Sequence, residues 1–150
     1  MRIDSHQHFW HYNSREYGWI SDDMEILRKD YLPEQLESEL SSAGFDGSVA
    51  VQARQSLAET KWLLDLADEY GFIKGVIGWI DLCSPDAEEQ IIQFSANPKL
   101  VGVRHVIHDE QDDYFMLSDS FLRGISYLQK YGLAYDILVF PRHLSNTIQL

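Results

Sequence analysis

From residue 33 onward, short apolar runs alternate with segments whose apolar residues recur every three or four positions. The first such segment opens at Pro33, carries Leu36, Leu40 and Ala43 on one side and stops at Gly44, as an amphipathic helix does. The same patterns predict strands over residues 2–5, 48–53, 75–82, 100–106 and 134–140, and further helices over residues 59–70, 84–96 and 118–131. Apolar strands that alternate with amphipathic helices predict an α/β fold with a parallel sheet.

A single domain is expected across residues 1–150, because no linker, low-complexity tract or charge block divides the chain. Residues 11–32 lack periodicity and are expected to form a long irregular excursion with one helical turn. On pattern alone, an open doubly wound sheet fits as well as a barrel. Its usual phosphate site is not expected here, since the first turn has neither a glycine nor a helix close behind it.

Composition and charge narrow the range of partners. The 150 residues carry 24 acidic against 12 basic side chains, a net charge of −12, without a basic cluster, so nucleic acid is not an expected partner. No apolar run approaches the ~20 residues of a membrane span, and the N-terminus lacks a secretory signal. Cys83 is the only cysteine and is expected to be a half-buried thiol. We therefore expect a cytoplasmic protein.

The most pointed chemical feature is a pair of histidines one residue apart at the end of the opening strand. Successive strand side chains point to opposite faces, so His6 and His8 lie on the same face and could offer two imidazoles to one ion. Asp4 points the same way one layer deeper, and we expect it to orient an imidazole by a hydrogen bond. Carboxyl ends of parallel strands are where α/β enzymes place their chemistry.

Several motifs, in order from residue 2 to about residue 141, resemble the sugar-lactonase branch of the amidohydrolase superfamily. The branch includes L-fuconolactone and L-rhamnonolactone hydrolases and the pyrone-dicarboxylate lactonases. The motifs are Ile3-Asp4-Ser5-His6-Gln7-His8-Phe9-Trp10, Tyr17-x-Trp19, Val51-Gln52-Ala53, Glu59-Thr60-x-Trp62-Leu63-Leu64, Gly78-Trp79-Ile80-Asp81-Leu82 and Gly102-Val103-Arg104-His105.

The resemblance implies a (β/α)8 TIM barrel, which needs at least ~200 residues to close. The chain would supply the N-terminal part: about four βα units and a fifth strand, with the domain incomplete at its C-terminus. The expectation is a piece of a longer barrel protein, or a half completed by another polypeptide.

The resemblance also implies a chemistry: activated water opens a sugar-acid lactone of the L-fucono- or L-rhamnono-lactone type. His6 and His8 would ligate a divalent metal, zinc or manganese. A metal-independent variant exists in the branch, and there the two histidines would hydrogen-bond the carbonyl. The general base of the family follows the last strand, beyond Leu150, so the chain alone is expected to be inactive.

Four residues are candidates for binding the substrate. Arg104 and His105 end the predicted fourth strand, and only one of two neighbours can point inward; arginine suits a carboxylate. Arg54 takes the equivalent rim position on the second strand, and Trp10, like Trp19, belongs to an aromatic loop that could stack on a sugar.

The other titratable residues are expected to be structural. His11, His108 and His143 lie in polar loop surroundings and are expected to be solvated. Glu59 is read as an acid in the first turn of a helix, favoured by the helix dipole.

Two alternative functions remain open. One is a metal-dependent decarboxylase of the same superfamily, which would release carbon dioxide without opening a lactone. The other is a half-barrel that binds a sugar acid or a partner chain without catalysis. The expected partner is a small-molecule sugar lactone; a homo-oligomer is compatible with the sequence and is not specified by it.

Overall fold

A computed structural model describes all residues from Met1 to Leu150 and shows five parallel strands in one curled sheet. The strands follow each other in chain order: β1 (Ile3–Gln7), β2 (Gly47–Val51), β3 (Ile73–Gly78), β4 (Leu100–Val106) and β5 (Ala134–Leu138). In an open doubly wound sheet this order would reverse at a switch point. The architecture is therefore part of a TIM barrel, and the predicted fold class is confirmed.

One helix follows each strand on the outside of the sheet. The helices are α1 (Pro33–Ser42), α2 (Leu57–Glu69), α3 (Ala87–Ser95), α4 (Asp119–Lys130) and the short α5 (Leu144–Thr147). Pro33 begins α1, and Gly44 and Gly132 follow helices in the left-handed conformation that glycine adopts without strain, with φ of 73° and 67°. No helix combines the length and apolar character that crossing a bilayer requires.

The core lies between the sheet and these helices. Ala50 and Val76 on the strands pack with Leu63 of α2, Ile91 of α3 and Phe121 of α4, and all five are essentially inaccessible to solvent. These are the positions that the helical and strand periodicities predict to be apolar. Burial of the four larger side chains, at roughly 1.5–3 kcal/mol each, helps to hold the βα units together.

Several strand boundaries differ from the prediction; β2, for example, runs from Gly47 to Val51 rather than over residues 48–53. β1 extends to Gln7, so His6 lies within the strand, and β5 stops at Leu138. β3 ends at Gly78 rather than at residue 82, because the side chain of Thr60 takes over the backbone hydrogen bonds of Trp79. The apolar residues beyond Gly78 continue the hydrophobic run into a buried loop, which is why the pattern overestimated the strand.

The predicted excursion between β1 and α1 folds back onto the end of β1. Trp10 and Tyr31 pair as an isolated antiparallel bridge, with two backbone hydrogen bonds of 3.0 Å. The one helical turn is a 3₁₀ segment at Asp22–Leu27. Trp10, Tyr17 and Ile20 form a small separate apolar cluster. This cluster anchors the excursion beside the carboxyl ends of the strands, where the candidate site lies.

Candidate active site

A cavity of about 390 Å³ opens on the concave side of the sheet, at the carboxyl ends of the strands. His6 and His8 from β1, Trp19 from the excursion and Arg104 from β4 border it, together with Ala53, Val106, His108, Asp109 and Leu138. The curl of the sheet is what brings residues of the first and fourth strands to one cavity.

His6 and His8 converge, as the spacing predicts. Their Nε2 atoms lie 3.2 Å apart, and the rings meet edge to face with centroids 5.0 Å apart. The pairing of β1 with β2 is irregular between Asp4 and Gln7. The sequence predicts that Asp4 orients an imidazole by a hydrogen bond, and the structure shows no such bond. The carboxylate of Asp4 instead accepts the backbone N–H of His6 at 3.1 Å, within this irregular stretch.

Hydrogen-bond partners assign the proton on each ring. The Nδ1 of His8 lies 2.8 Å from the carbonyl of Val51, which only accepts, so Nδ1 carries the proton and Nε2 presents a lone pair. The Nε2 of His6 lies 3.2 Å from Nη1 of Arg104, which only donates, so this Nε2 is also unprotonated. Burial lowers the pKa of His8 to about 4, and burial followed by the charge of Arg104 lowers the pKa of His6. Two lone pairs therefore face each other.

This donor set fits one metal ion. Two nitrogens each 2.0–2.1 Å from a tetrahedral zinc are separated by about 3.3–3.4 Å, and the spacing here is 3.2 Å. The Val51 carbonyl fixes the tautomer of His8 in the way that outer hydrogen bonds orient metal-binding histidines. No further histidine, cysteine or carboxylate joins the pair to make a group of three. Because Arg104 donates to the lone pair of His6, ligation there requires the guanidinium to turn away.

Arg104 reaches across the sheet from β4. Its side chain is largely buried, and its guanidinium donates to the carbonyl of Gln52 at the end of β2 and to His6 on β1. Burial lowers the pKa of Arg104, against the nearby charges of Asp136 and Glu59. A buried guanidinium with part of its donor fork directed into a cavity is suited to gripping a carbonyl or carboxylate oxygen.

His105 points to the opposite face of β4, as its position next to Arg104 requires. Its Nδ1 accepts from Nε1 of Trp79 at 3.3 Å, and its Nε2 donates to Glu110 at 2.6 Å. Its ring stacks on Phe115 with centroids 4.9 Å apart. Of the two residues predicted to be alternatives, Arg104 borders the cavity and His105 lies behind the strand.

Trp10 and Trp19 occupy different layers of the aromatic loop. Trp10 is 5% exposed, and its Nε1 donates to the carbonyl of Lys29 at 2.8 Å. Trp19 is 47% exposed, borders the cavity and meets Trp10 edge to face at 6.1 Å. The ring of Trp10 also stacks with His8 at 6.3 Å. Trp10 therefore adjoins the cavity only through His8 and Trp19, and the aromatic surface that a ligand would meet belongs to Trp19.

Comparison with known proteins shows the family of this chain. The sequence profile described as Amidohydrolase matches residues 3–148. The chain belongs to the amidohydrolase family. It is 42% identical over 145 residues to an L-fucono-1,5-lactonase of Burkholderia multivorans, covering 96% of this chain and 49% of that protein. An L-fucono-1,5-lactonase of Burkholderia ambifaria is 36% identical over 144 residues, which cover 96% of this chain and 50% of that one.

Comparison with solved structures gives a match of similar length. A crystal structure of an amidohydrolase from Burkholderia multivorans with bound zinc superposes with a TM-score of 0.93 at 41% identity, covering 98% of this chain and 52% of that one. An amidohydrolase of Bifidobacterium longum subsp. infantis shares the fold alone, with a TM-score of 0.72 at 19% identity. The chain thus spans about half the length of the relatives that it matches.

In this amidohydrolase, Arg54 lies outside the cavity that His6, His8 and Arg104 border. Its guanidinium pairs with Glu16 at 2.7 Å and Glu59 at 3.4 Å and lies over the ring of Tyr17. It borders a smaller cavity of about 170 Å³ with His11, Glu16, Tyr17 and Trp62. The contacts of Arg54 therefore join the excursion after β1 to the loop after β2.

Glu59 has a larger part than its predicted role as a first-turn acid. It does lie in the first turn of α2, but its side chain is fully buried and its carboxylate accepts the backbone N–H groups of Ala53 and Arg54 at 3.0 and 2.7 Å. Burial raises the pKa of Glu59, while these N–H groups and the Arg54 charge oppose the rise. The sequence gives no signal for this role, because the carboxylate partners are backbone atoms.

The prediction of solvated loop histidines holds for one of the three. His11 is exposed and pairs with Asp30 at 2.9 Å. His143, which the sequence predicts to be solvated, is fully buried; its Nδ1 accepts the Phe140 N–H and its Nε2 donates to Asp113. His108 is also not freely solvated: it borders the cavity of His6, His8 and Arg104, and its ring stacks on Phe140 with centroids 4.5 Å apart.

Proposed function

We propose that this amidohydrolase chain forms part of an enzyme that opens a sugar-acid lactone, with L-fucono-1,5-lactone as the first substrate to test. The observation that carries the proposal is the convergence of two unprotonated histidine nitrogens beside the Arg104 guanidinium at the carboxyl ends of the strands. The names of the two Burkholderia relatives support the choice of substrate.

In this proposal, His6 and His8 hold a divalent ion, zinc or manganese. Such an ion, when bound, polarises a carbonyl and lowers the pKa of a water molecule. The neutral state of both rings suits this role, because only an unprotonated nitrogen binds a metal. The zinc in the Burkholderia multivorans structure supports zinc as the first ion to test.

Arg104 is the proposed substrate-binding residue. Its guanidinium would donate to the lactone carbonyl oxygen, where negative charge develops during attack, and then to the carboxylate of the product. Trp19 would offer an apolar surface to the sugar ring. Trp10 would support Trp19, Arg54 would hold the two loops together, and His105 would brace β4 from behind. No residue among 1–150 is given the role of general base in this proposal.

The test is lactone opening by the protein as its source organism makes it. Acid release from L-fucono-1,5-lactone is followed against spontaneous hydrolysis, with zinc, with manganese and after chelation. Turnover above the uncatalysed rate that falls in Arg104→Lys supports the proposal. Carbon dioxide release without lactone opening would favour the decarboxylase, and saturable sugar binding without turnover would favour the non-catalytic half-barrel; either result contradicts the proposal.

A further inference from the structure

Asp136 faces the same side of the sheet as Arg104. The two residues are paired in register across β4 and β5, and side chains of register partners in neighbouring strands point the same way. Arg104 lies on the concave side, since it reaches His6 on β1. Asp136 accordingly borders a cavity of about 370 Å³ together with His6 and Arg104. The pattern of β5 alone singles out neither face, so the sequence did not identify this residue.

The carboxylate of Asp136 is not paired with the guanidinium of Arg104. Arg104 directs its donors to the Gln52 carbonyl and to His6, and forms no ion pair with Asp136. The carboxylate is near enough that its charge works to raise the pKa of both His6 and Arg104 against the effect of burial. Asp136 thus presents hydrogen-bond acceptors, and no donor, toward the cavity.

Side chains of opposite charge face the cavity from β4 and β5. Arg104 contributes one positive charge and Asp136 one negative charge, while His6 is neutral because its Nε2 accepts from Arg104. A second carboxylate, Asp4, stands one layer deeper on β1, and its charge also acts on His6. A ligand with two negative charges would satisfy Arg104 and meet repulsion from Asp136. A neutral ring with several hydroxyl groups would satisfy both residues.

We infer that Asp136 is the specificity-determining residue of this site, accepting hydrogen bonds from ring hydroxyls and selecting neutral polyhydroxylated ligands over dicarboxylates. This inference rests on the proposed function and refines its substrate class. Hydroxyl groups donate well to an ionised carboxylate, and such charge-assisted bonds are about twice as strong as neutral ones. The same negative charge that attracts hydroxyls excludes a second carboxylate from the cavity.

The experiment compares the binding of two probes by calorimetry. L-Fucose is a neutral pyranose with the ring hydroxyls of the proposed lactone, and glutarate is a dicarboxylate. In Asp136→Asn we expect L-fucose to bind about 10-fold more weakly, from the loss of charge-assisted hydrogen bonds, and glutarate to bind more tightly. The control is Asp86→Asn, which removes the same charge from an exposed position at the start of α3; neither affinity should change.

Two further variants keep the inference testable. Asp136→Glu retains the charge and should still exclude glutarate. Asp136→Ser, a smaller neutral side chain, should behave like Asp136→Asn and serves if the asparagine variant fails to fold. Equal affinities in Asp136→Asn and Asp86→Asn would overturn the inference. Lactone turnover by the unaltered protein is scored separately, so a failed hydrolase assay with Asp136-dependent sugar binding contradicts only the proposed function, and the reverse pair of results contradicts only this inference.

Discussion

The hydroxyl of Thr60 holds the backbone of Trp79 from both sides, accepting its N–H and donating to its carbonyl, each at 2.7 Å. Thr60 lies in α2, and Trp79 directly follows β3, so this one side chain ends the strand and ties it to the helix. Gly78 permits the contact, because a Cβ there would lie 2.6 Å from the Thr60 methyl group.

Thr60→Val should destabilise the fold. The isosteric change leaves two part-buried backbone groups of Trp79 without partners, which costs about 1–3 kcal/mol of the free energy of unfolding. Urea unfolding measures the loss. Thr147→Val is the control, because Thr147 lies at the end of the short α5 and its hydroxyl contacts no backbone group but the His143 carbonyl, with the Met116 sulfur 3.8 Å away. Equal losses in the two variants would contradict the role given to Thr60.

Glu59→Ala should be the more damaging change. It removes the acceptor for two backbone N–H groups and the partner of Arg54, and breaking such a buried network costs about 3 kcal/mol. Glu59→Gln keeps one acceptor oxygen and should lose less. Glu69→Ala, at the exposed end of the same helix, provides the baseline in denaturant titrations. If Glu59→Ala unfolds no more easily than Glu69→Ala, Glu59 does not hold the loop after β2.

Zinc binding should depend on His6 and His8. His8→Ala removes one of the two converging nitrogens, and we expect the affinity for zinc to fall at least about 100-fold, since even the loss of an outer partner of a ligand costs 10–100-fold. Calorimetric titration with zinc reads this out. His11→Ala removes an exposed histidine that pairs with Asp30 and should leave the affinity unchanged. Zinc binding that survives in the His6→Ala and His8→Ala variants would place the ion elsewhere.

Arg104→Lys should weaken the binding of a sugar acid while the charge is kept. A lysine cannot reproduce the planar fork that grips two carboxylate oxygens, so L-fuconate should bind about 10-fold more weakly. Arg123→Lys is a matched control, because Arg123 is exposed and donates to the carbonyls of Cys83 and Ser84 on the outside of the sheet. An unchanged affinity in Arg104→Lys would mean that only the charge of Arg104 matters.

At low pH, the C-terminal segment Leu144–Thr147 should lose its attachment to Asp113. Hydrogen bonds from Arg142 and then His143 hold the pKa of Asp113 below its usual value. The stabilisation is therefore complete above the unfolded aspartate pKa of about 3.9 and is lost as the pH falls through the lower folded value. Amide hydrogen exchange of Leu144–Thr147 should quicken relative to the rest of the chain over this interval. Asp113→Asn should show no such transition; a transition in both proteins would assign it to another group.

Most of the fold could be predicted because it depends on local periodicity. Leu36 and Leu40 mark α1, Gly44 and Gly132 mark helix ends, and β4 matches its predicted bounds. The convergence of His6 and His8 follows from their spacing in one strand. The end of β3 could not be predicted, because Thr60, 19 residues away, decides it.

The parts of the site that escaped prediction depend on contacts between distant segments. Asp136 becomes a partner of Arg104 only through the register of β4 and β5. The buried ring of His143 donates to Asp113, 30 residues earlier in the chain. Glu59 acts on backbone atoms, which carry no sequence signal. Trp10 and Trp19 are the same residue type, and only the packing of the loop makes one of them a support and the other a surface.

The hydrogen bond from Arg104 to His6 spans the concave side of the curved sheet. It joins β4 to β1, and the two strands between them, β2 and β3, connect the same two residues through the sheet itself. If the sheet flattens, the distance between Arg104 and His6 increases, and if the sheet curls more tightly, that distance decreases. The separation of these two side chains is therefore a gauge of sheet curvature, and a distance probe placed across it would register bending of the whole ribbon as a change at the site.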